Sequence, residues 1–181
     1  MEEGYAKTSM LAIATRARVS KRDLYAHFAD KAAILATCIE IRARQMRLPL
    51  ELPPPQTAMA LKETLERFGK SALSEGTLPT TIAAFRLAIT EPDPEIAAVL
   101  DTLGRQTNRA ALNKFMADAQ ARSLLRPGDA SLMAGQFLSL LWGDLVIGML
   151  LRGTEAPSAA EIERRAREAT RILLLAYGAE P

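Results

Sequence analysis

Apolar side chains recur at helical spacing along most of this chain, and no segment alternates apolar and polar residues in the way of a β-strand. Behind Thr8 and Ser9, whose side-chain oxygens can cap a helix, the first apolar face consists of Met10, Ile13, Ala14 and Ala17. Longer helical segments follow at about residues 30–47, 57–74, 79–90, 94–122, 132–151 and 158–177. The pattern predicts an all-α fold.

Proline and glycine residues separate these segments. Pro49 and the run Pro53-Pro54-Pro55 cannot continue a helix, so we place the main domain boundary there. The Glu91-Pro92-Asp93-Pro94 and Arg126-Pro127-Gly128-Asp129 stretches are turns, and the long helix between them is expected to kink near Gly104. We expect a head at residues 1–48 and a helical body at residues 56–178.

Residues 132–151 are apolar on nearly every side. Their length alone would admit a transmembrane helix. Gln136 and Asp144 argue against one, because an ionisable group is costly near the middle of a lipid bilayer. Burial between the body and a partner chain explains the segment as well.

The segment from Ser20 to Phe28 combines a helix cap, an apolar pair and a polar outer face. Ser20 can cap the helix, and Leu24 and Phe28 lie four residues apart, so both can point inward. The residues left facing outward are Lys21, Arg22 and Tyr25, with His27 near the helix end. Cations, a phenol and an imidazole on a short helix suit a DNA major groove.

The string Ala14-x-x-Ala17-x-Val19-Ser20-x-x-x-Leu24-Tyr25-x-His27-Phe28-x-x-Lys31-x-x-Ile34-Leu35 resembles the helix-turn-helix signature of TetR-family transcriptional regulators. The resemblance covers residues 4–48 by motif. It implies that Lys31 contacts a DNA phosphate. Together with the outward set above, the candidate DNA-binding residues are Thr8, Ser9, Arg18, Ser20, Lys21, Arg22, Tyr25, His27 and Lys31.

The chain departs from the family pattern at two positions inside the motif. Arg18 stands where the family usually has glycine, and a left-handed backbone there would cost on the order of 1 kcal/mol. Asp23 stands where the family usually has threonine. Phosphate would repel this carboxylate, although the amino group of cytosine could donate to it.

The amino terminus is a third departure, because family members have a full helix before the Gly4-Tyr5 pair and this chain supplies only Met1-Glu2-Glu3. Without that helix, Ile13, Val19 and Phe28 lose part of their apolar cover. A trimmed chain, a start codon placed too late and a natural truncation remain open, and we expect the native protein to be longer.

Charge and cysteine content add weaker constraints. A chain of 181 residues with 49% hydrophobic and 24% charged residues is globular. Residues 1–50 carry a net charge of +4 and the remainder −2, which fits a DNA-binding head on a different body. Cys38 is the one cysteine, and we expect it to be a small buried residue. With no secretion signal at the start, we expect a cytoplasmic protein.

Catalytic and metal-binding patterns are missing from the sequence. The one histidine already belongs to the candidate DNA-reading helix, and no phosphate-binding glycine loop is present. Asp93 and Glu95 form a carboxylate pair on a turn, where solvation explains them. We therefore expect neither an enzyme nor a cofactor.

The family resemblance also implies a small apolar effector held between the body helices. The residues that we expect to line its site are Phe68, Phe85, Arg86, Phe115, Met116, Trp142 and Met149, with Gln106 or Asn108 as polar contacts. For each apolar residue in this set, plain bundle core is an equally good interpretation.

The last two helices of TetR-like regulators usually pair with those of a second subunit. The resemblance thus implies a two-fold symmetric homodimer whose interface includes Phe137, Leu141, Leu145, Ile162, Ala166, Ala169 and Leu173. The resemblance implies a dimeric, ligand-responsive regulator, a repressor in the commonest case, on an inverted-repeat operator. The alternative is a dimeric ligand-binding or scaffold protein whose head no longer binds DNA.

Overall fold

All regular elements in the described part of the chain are helical, as the sequence predicts. The computed structural model describes Tyr5, residues 8–90 and residues 94–179. The α-helices are α1 Met10–Ala17, α2 Lys21–His27, α3 Lys31–Arg47, α4 Ala58–Gly76, α5 Pro79–Thr90, α6 Pro94–Val99, α7 Thr107–Ala121, α8 Ala130–Trp142, α9 Leu145–Leu150 and α10 Ala159–Tyr177. A 3-10 turn, Leu48–Glu51, follows α3, and a π-helical segment, Leu100–Gln106, joins α6 to α7. The predicted features at residues 1–4 and 91–93, which include Asp93, lie outside the described residues.

Side-chain caps set the beginnings of several helices. The hydroxyl of Ser9 accepts a hydrogen bond from the Ala12 amide, and Asp30 and Thr57 accept from amides in the first turns of α3 and α4. Each cap satisfies a backbone donor that the helix itself leaves unpaired. The predicted kink near Gly104 takes the form of the π-helical segment, which widens the helix for seven residues.

The core lies in the body, between α4, α7, α8 and α10. Phe68 of α4 and Phe137 of α8 are its largest fully buried side chains, and their ring centroids lie 6.1 Å apart. Each ring is at most 1% exposed. The other fully buried large side chains are Leu61, Leu65, Leu73, Leu112, Met116, Leu125, Met133, Leu141, Leu173 and Thr170.

The interface residues expected from sequence face this core. The buried members of that set are Phe137, Leu141, Leu145, Ala166, Ala169 and Leu173, and Ile162 packs at the edge of the same core. Helical periodicity identified the apolar face of α8 and α10 correctly, but it does not reveal what covers that face. Here α4 covers it, because α10 packs along α4 and α8 within one chain. These side chains therefore point into the core of their own chain and not, as the sequence analysis expected, towards a partner subunit.

Helix α3 needs a similar correction. Cys38, which the sequence predicts to be buried, is exposed, and 54% of Ile41, on the same helical stripe, is exposed as well. The residues of α3 that lean on the body are Leu35, Ile39, Ala43 and Met46, and Ala43 is the buried one. Both stripes have helical spacing, so periodicity could not choose between them.

The segment at 132–151 is not one helix. Helix α8 ends at Gly143, whose φ of 49° reverses the chain, and the short helix α9 follows. Among the described residues, no helix has both the length and the apolar character needed to cross a membrane.

Gly69 brings α4 and α10 into close contact. A Cβ atom at this position would lie 3.0 Å from the Cβ of Ala166, 3.3 Å from its Cα and 3.2 Å from Leu141 Cδ1. Two of these atoms belong to the backbone or lie next to it, so they cannot swing away. Small residues at the crossing therefore fix the distance between the two longest body helices.

We predict that Gly69→Ala lowers the free energy of unfolding by about 1–3 kcal/mol, because overpacking outweighs the better helix propensity of alanine. Urea unfolding followed by circular dichroism measures this. Gly135→Ala is the matched control: its new Cβ would meet only the flexible end of Arg109, at 3.2 Å. It should be neutral or stabilising by up to about 1 kcal/mol. Equal effects of the two changes would contradict the assigned crossing.

Candidate nucleic-acid interface

A tight turn joins α1 to α2 and sets the angle between them. Arg18 has φ 57° and ψ 37°, the left-handed conformation whose cost the sequence analysis considered at this position. Its N–H donates to the Thr15 carbonyl, and the Val19 N–H donates to the Ala14 carbonyl, which closes the end of α1. An arginine thus holds a conformation that favours glycine, at the cost expected from sequence.

One buried side chain determines which face of α2 points outward. Leu24 is 8% exposed and packs inward, while Phe28, just past the helix end, is half-buried. The remaining residues of α2 are exposed, and Tyr25 keeps 47% of its surface in solvent. Lys21, Arg22, Tyr25 and His27 therefore all lie on the solvent side, as the sequence predicts.

The exposed face of α2 is cationic at its start. The Nζ atom of Lys21 lies 5.6 Å from the centroid of the Tyr25 ring, close enough for a cation–π interaction. Such a contact orders two side chains that would otherwise be flexible. It presents an ammonium group and a phenol side by side.

Asp23 is tied to the helix cap. The Ser20 hydroxyl donates to Asp23 Oδ2 at 2.7 Å and accepts from the Asp23 N–H at 3.0 Å. The carboxylate therefore stabilises the start of α2, where the helix dipole also favours negative charge. Its other oxygen, Oδ1, accepts no hydrogen bond from any described residue.

Lys31 has a partner within the chain. Its Nζ donates to the Tyr5 carbonyl at 2.8 Å and lies 4.3 Å from the centroid of the Tyr5 ring. The side chain is half-buried rather than extended into solvent. A phosphate at this position would have to share the ammonium group with Tyr5.

The nine predicted DNA-binding residues all lie between residues 8 and 31, in or next to α1, α2 and the start of α3. Seven of the nine are exposed, namely Ser9, Arg18, Ser20, Lys21, Arg22, Tyr25 and His27. Thr8 and Lys31 are half-buried. Ser9 and Ser20 also serve as helix caps, so their hydroxyls already hold backbone amides.

The structure divides the residues that we expected to line an effector site. Phe68, Phe115 and Met116 belong to the closed core, whereas Arg86 and Met149 line an open cavity of about 320 Å³. Three others lie elsewhere: Phe85 is half-buried in α5, Trp142 packs over Gly76, and Gln106 is exposed and donates to Asp101. The amide of Asn108, the alternative polar contact, donates to the sulfur of Met46.

Sequence reasoning missed the rest of that cavity. Its other lining residues are Thr77, Pro79, Ile82, Arg152, Thr154 and Ala156. Three of them belong to the loop before α10, which has no periodicity that would place it against α5. Among the described residues, no group of histidine, cysteine, aspartate and glutamate side chains could hold a metal ion.

Comparison with known proteins gives two matches to family models. The model described as "Bacterial regulatory proteins, tetR family" matches residues 1–38. The model described as "AefR-like transcriptional repressor, C-terminal domain" matches residues 63–179. No curated protein matches the chain significantly.

Solved structures share the whole fold. The flavonoid-responsive regulator FrrA is 28% identical with a TM-score of 0.71, over 99% of this chain and 91% of FrrA. A TetR transcriptional regulator from Agrobacterium tumefaciens is 26% identical with a TM-score of 0.78, over 99% of this chain and 88% of that one. The complex of SmeT with triclosan, at 17% identity and a TM-score of 0.61 over 99% and 86%, shows a likeness of fold alone.

We predict that Arg18→Gly stabilises the α1–α2 unit by about 1 kcal/mol, because glycine adopts the left-handed conformation without a steric penalty. Amide hydrogen exchange of α1 and α2 measures this local stability. Arg16→Gly removes a cation from the right-handed last turn of α1 and should instead cost about 1 kcal/mol. If both changes destabilised the unit, the assignment of a strained backbone to Arg18 would be contradicted.

Proposed function

Because this chain belongs to the TetR family of bacterial transcriptional regulators, we propose that it acts as a homodimeric repressor whose operator binding is controlled by a small molecule. The head, residues 1–48, binds DNA, and the body, residues 56–178, carries the dimer interface and the effector site. The observation that supports this most directly is the exposed face of α2. Leu24 of this helix is buried, and Lys21, Arg22 and Tyr25 are all exposed.

Helix α2 enters the major groove of the operator in this proposal. Lys21 and Arg22 lie in its first turn, where side chains of a recognition helix reach both phosphates and base edges. Tyr25 follows one turn later and can contact a base or a phosphate through its hydroxyl. Arg18, in the turn before α2, adds a cation near the backbone of the DNA.

Asp23 contributes to sequence specificity. A carboxylate near DNA phosphates weakens binding unless a base donates to it. In the major groove the donors are the exocyclic amino groups of cytosine and adenine. Because Ser20 already holds Oδ2, the remaining oxygen Oδ1 accepts from such an amino group.

The dimer forms through the outer faces of α8 and α10. With the inward residues committed to the core, α8 presents Leu132, Gln136 and Leu140 at intervals of four residues, and α10 presents Leu175. Gln136 and Tyr177 hydrogen bond to each other, which holds α8 and α10 together at this face. A two-fold axis would place the same stripe on both subunits.

Charged residues border this stripe on α10. Arg164 donates two hydrogen bonds to Glu161, and Arg165 donates a third. Arg164 first and Arg165 second lower the pKa of Glu161 to about 2, so its carboxylate stays ionised at neutral pH. Paired charges beside an apolar stripe are typical of the rim of an interface.

The response to a small molecule rests on the likeness to FrrA, a flavonoid-responsive regulator, and on the position of α3. Helix α3 leaves the head and packs along α4, α7 and the π-helical segment. A body geometry favoured by the effector would therefore move α3 and change the distance between the two heads. Operator affinity would fall by the difference in the effector's affinity for the two geometries.

The second candidate is a dimeric ligand-binding or scaffold protein that does not bind DNA. The sparse core of the head favours it: in the described residues 8–30, Ala14 and Leu24 are the buried apolar side chains. A head held by so few contacts is marginally stable. Binding to the DNA upstream of the gene that encodes this chain distinguishes the two candidates.

We predict specific binding to that DNA which weakens as salt rises, through release of counterions. Fluorescence anisotropy titrations at several salt concentrations measure it. Lys21→Ala should reduce the magnitude of the salt slope by about 1, and Tyr25→Ala should weaken binding by roughly tenfold.

Lys114→Ala, an exposed cation of α7, is the control and should change neither quantity. Binding no stronger than that to unrelated DNA, by a folded dimer, would reject the regulator and support the scaffold.

We predict that Leu140→Glu converts the dimer to a monomer. The substitution places one carboxylate on each subunit, and the two-fold axis would bury these two like charges near each other. Ile89→Glu, at a more exposed position of α5, is the matched control and should leave the dimer intact. Sedimentation equilibrium measures both. A Leu140→Glu protein that remains dimeric would place the interface on another face.

A further inference from the structure

A cavity opens on the side of the body away from the closed core, between α5, α9 and the loop before α10. Its volume of about 320 Å³ lies at the lower end of the range typical of small-molecule sites. The apolar part of its wall consists of Pro79, Ile82, Met149 and Ala156. Ile82 and Met149 are themselves buried and belong to the packed body, whereas Pro79 and Ala156 are exposed.

The polar part of the wall carries positive charge. Two arginines, Arg86 and Arg152, line the cavity together with two threonines, and none of the described residues that line it carries a carboxylate. Glu155, between two lining residues, is exposed and is not part of the wall. The Thr77 hydroxyl donates to the Leu73 carbonyl at 2.7 Å and is therefore already engaged.

Arg86 is held rigidly. Its Nη2 donates to the Met149 carbonyl at 2.7 Å and its Nε donates to the Leu150 carbonyl at 3.3 Å. These bonds fix the plane of the guanidinium group at the end of α9. They also satisfy carbonyl groups that would otherwise repel an anion at this helix end.

Arg152 occupies a conformation that is costly for an arginine. Its φ of 61° is left-handed, and the loop then turns back so that the amides of Gly153 and Thr154 donate to the Gly148 carbonyl. The Arg152 side chain forms no hydrogen bond or ion pair with any described residue. Residues held in strained backbone conformations cluster at ligand-binding sites, which makes Arg152 a candidate ligand contact.

We propose that this cavity binds a small apolar carboxylate, whose hydrocarbon part lies on Ile82 and Met149 and whose carboxylate pairs with Arg152 and Arg86. As an effector site, the assignment rests on the proposed ligand-responsive function. It differs in place from the bundle centre, where Phe68, Phe115 and Met116 are buried in the core. A guanidinium pair also selects against uncharged compounds of the same shape.

The cavity is connected to the head through packed helices. Helix α5, which forms one wall, contacts α6 and the π-helical segment. That segment packs on α3, and Ile39 of α3 lies against Gly104 within it. A ligand that displaces α5 would therefore act on the helix that leads to the DNA-binding residues.

Ligand-detected NMR titrations test the site with two probes of equal shape, 3-phenylpropanoate and the uncharged 3-phenylpropanol. The purified full chain should bind the carboxylate more tightly. Arg152→Asn should weaken binding of the carboxylate by roughly tenfold and leave binding of the alcohol within twofold, because asparagine tolerates the left-handed backbone but lacks the charge. Ala156→Phe should block both probes. Arg122→Asn, an exposed arginine outside the cavity, is the control.

Equal affinities for the two probes, no saturable binding of the carboxylate at millimolar concentration, or unchanged affinity in Arg152→Asn would overturn the proposal. If Ala156→Phe fails to fold, as circular dichroism would show, Arg152→Asn still decides. Anisotropy with operator DNA separates this site from the regulatory function. If the carboxylate binds but leaves operator affinity unchanged, the effector role is rejected. If another compound releases the operator, and does so equally well from the Arg152→Asn protein, only the assignment of this cavity is rejected.

Discussion

The packing of Leu24 against the inner side of the head is the interaction on which the functional surface depends. Helix α2 has seven residues, too few to be stable in water by itself, so tertiary contact must hold it. Leu24 and Ala14, at 8% and 2% exposed, provide that contact within residues 8–30. With Leu24 facing inward, the geometry of a helix turns Arg22 and Tyr25 outward. A single apolar side chain thus determines what the head can present to DNA.

Helix α3 transmits this arrangement to the body. Its first residue, Lys31, is bonded to Tyr5, while Ala43 is buried against the body. The π-helical segment packs on α3 at Ile39, whose Cγ2 would lie in ordinary van der Waals contact, 3.6 Å away, with a Cβ placed on Gly104. π-Helical turns inside α-helices are rare and frequently lie at functional sites. Packed helices therefore connect the head to the cavity lined by Arg86 and Arg152.

The sequence predicted the local features well, because local rules determine them. Caps at Ser9 and Ser20, the left-handed turn at Arg18 and the outward face of α2 all follow from a few neighbouring residues. Features that depend on contacts between distant segments were harder to predict from the sequence. Periodicity identified the apolar faces of α8 and α10, yet the cover on Phe137 and Leu173 comes from α4, and Cys38 lies beside the buried stripe rather than in it. Arg152 joins a cavity through a loop that has no periodicity at all.

In the proposed complex, two copies of α2, related by two-fold symmetry, contact neighbouring major grooves of one DNA duplex. Hydroxyl-radical and methylation-protection footprinting of the DNA upstream of the gene tests this arrangement. We expect two protected major-groove patches with inverted sequence, centred about one helical turn, roughly 10 base pairs, apart. A single patch, protection confined to the minor groove, or no protection by a folded dimer would contradict it.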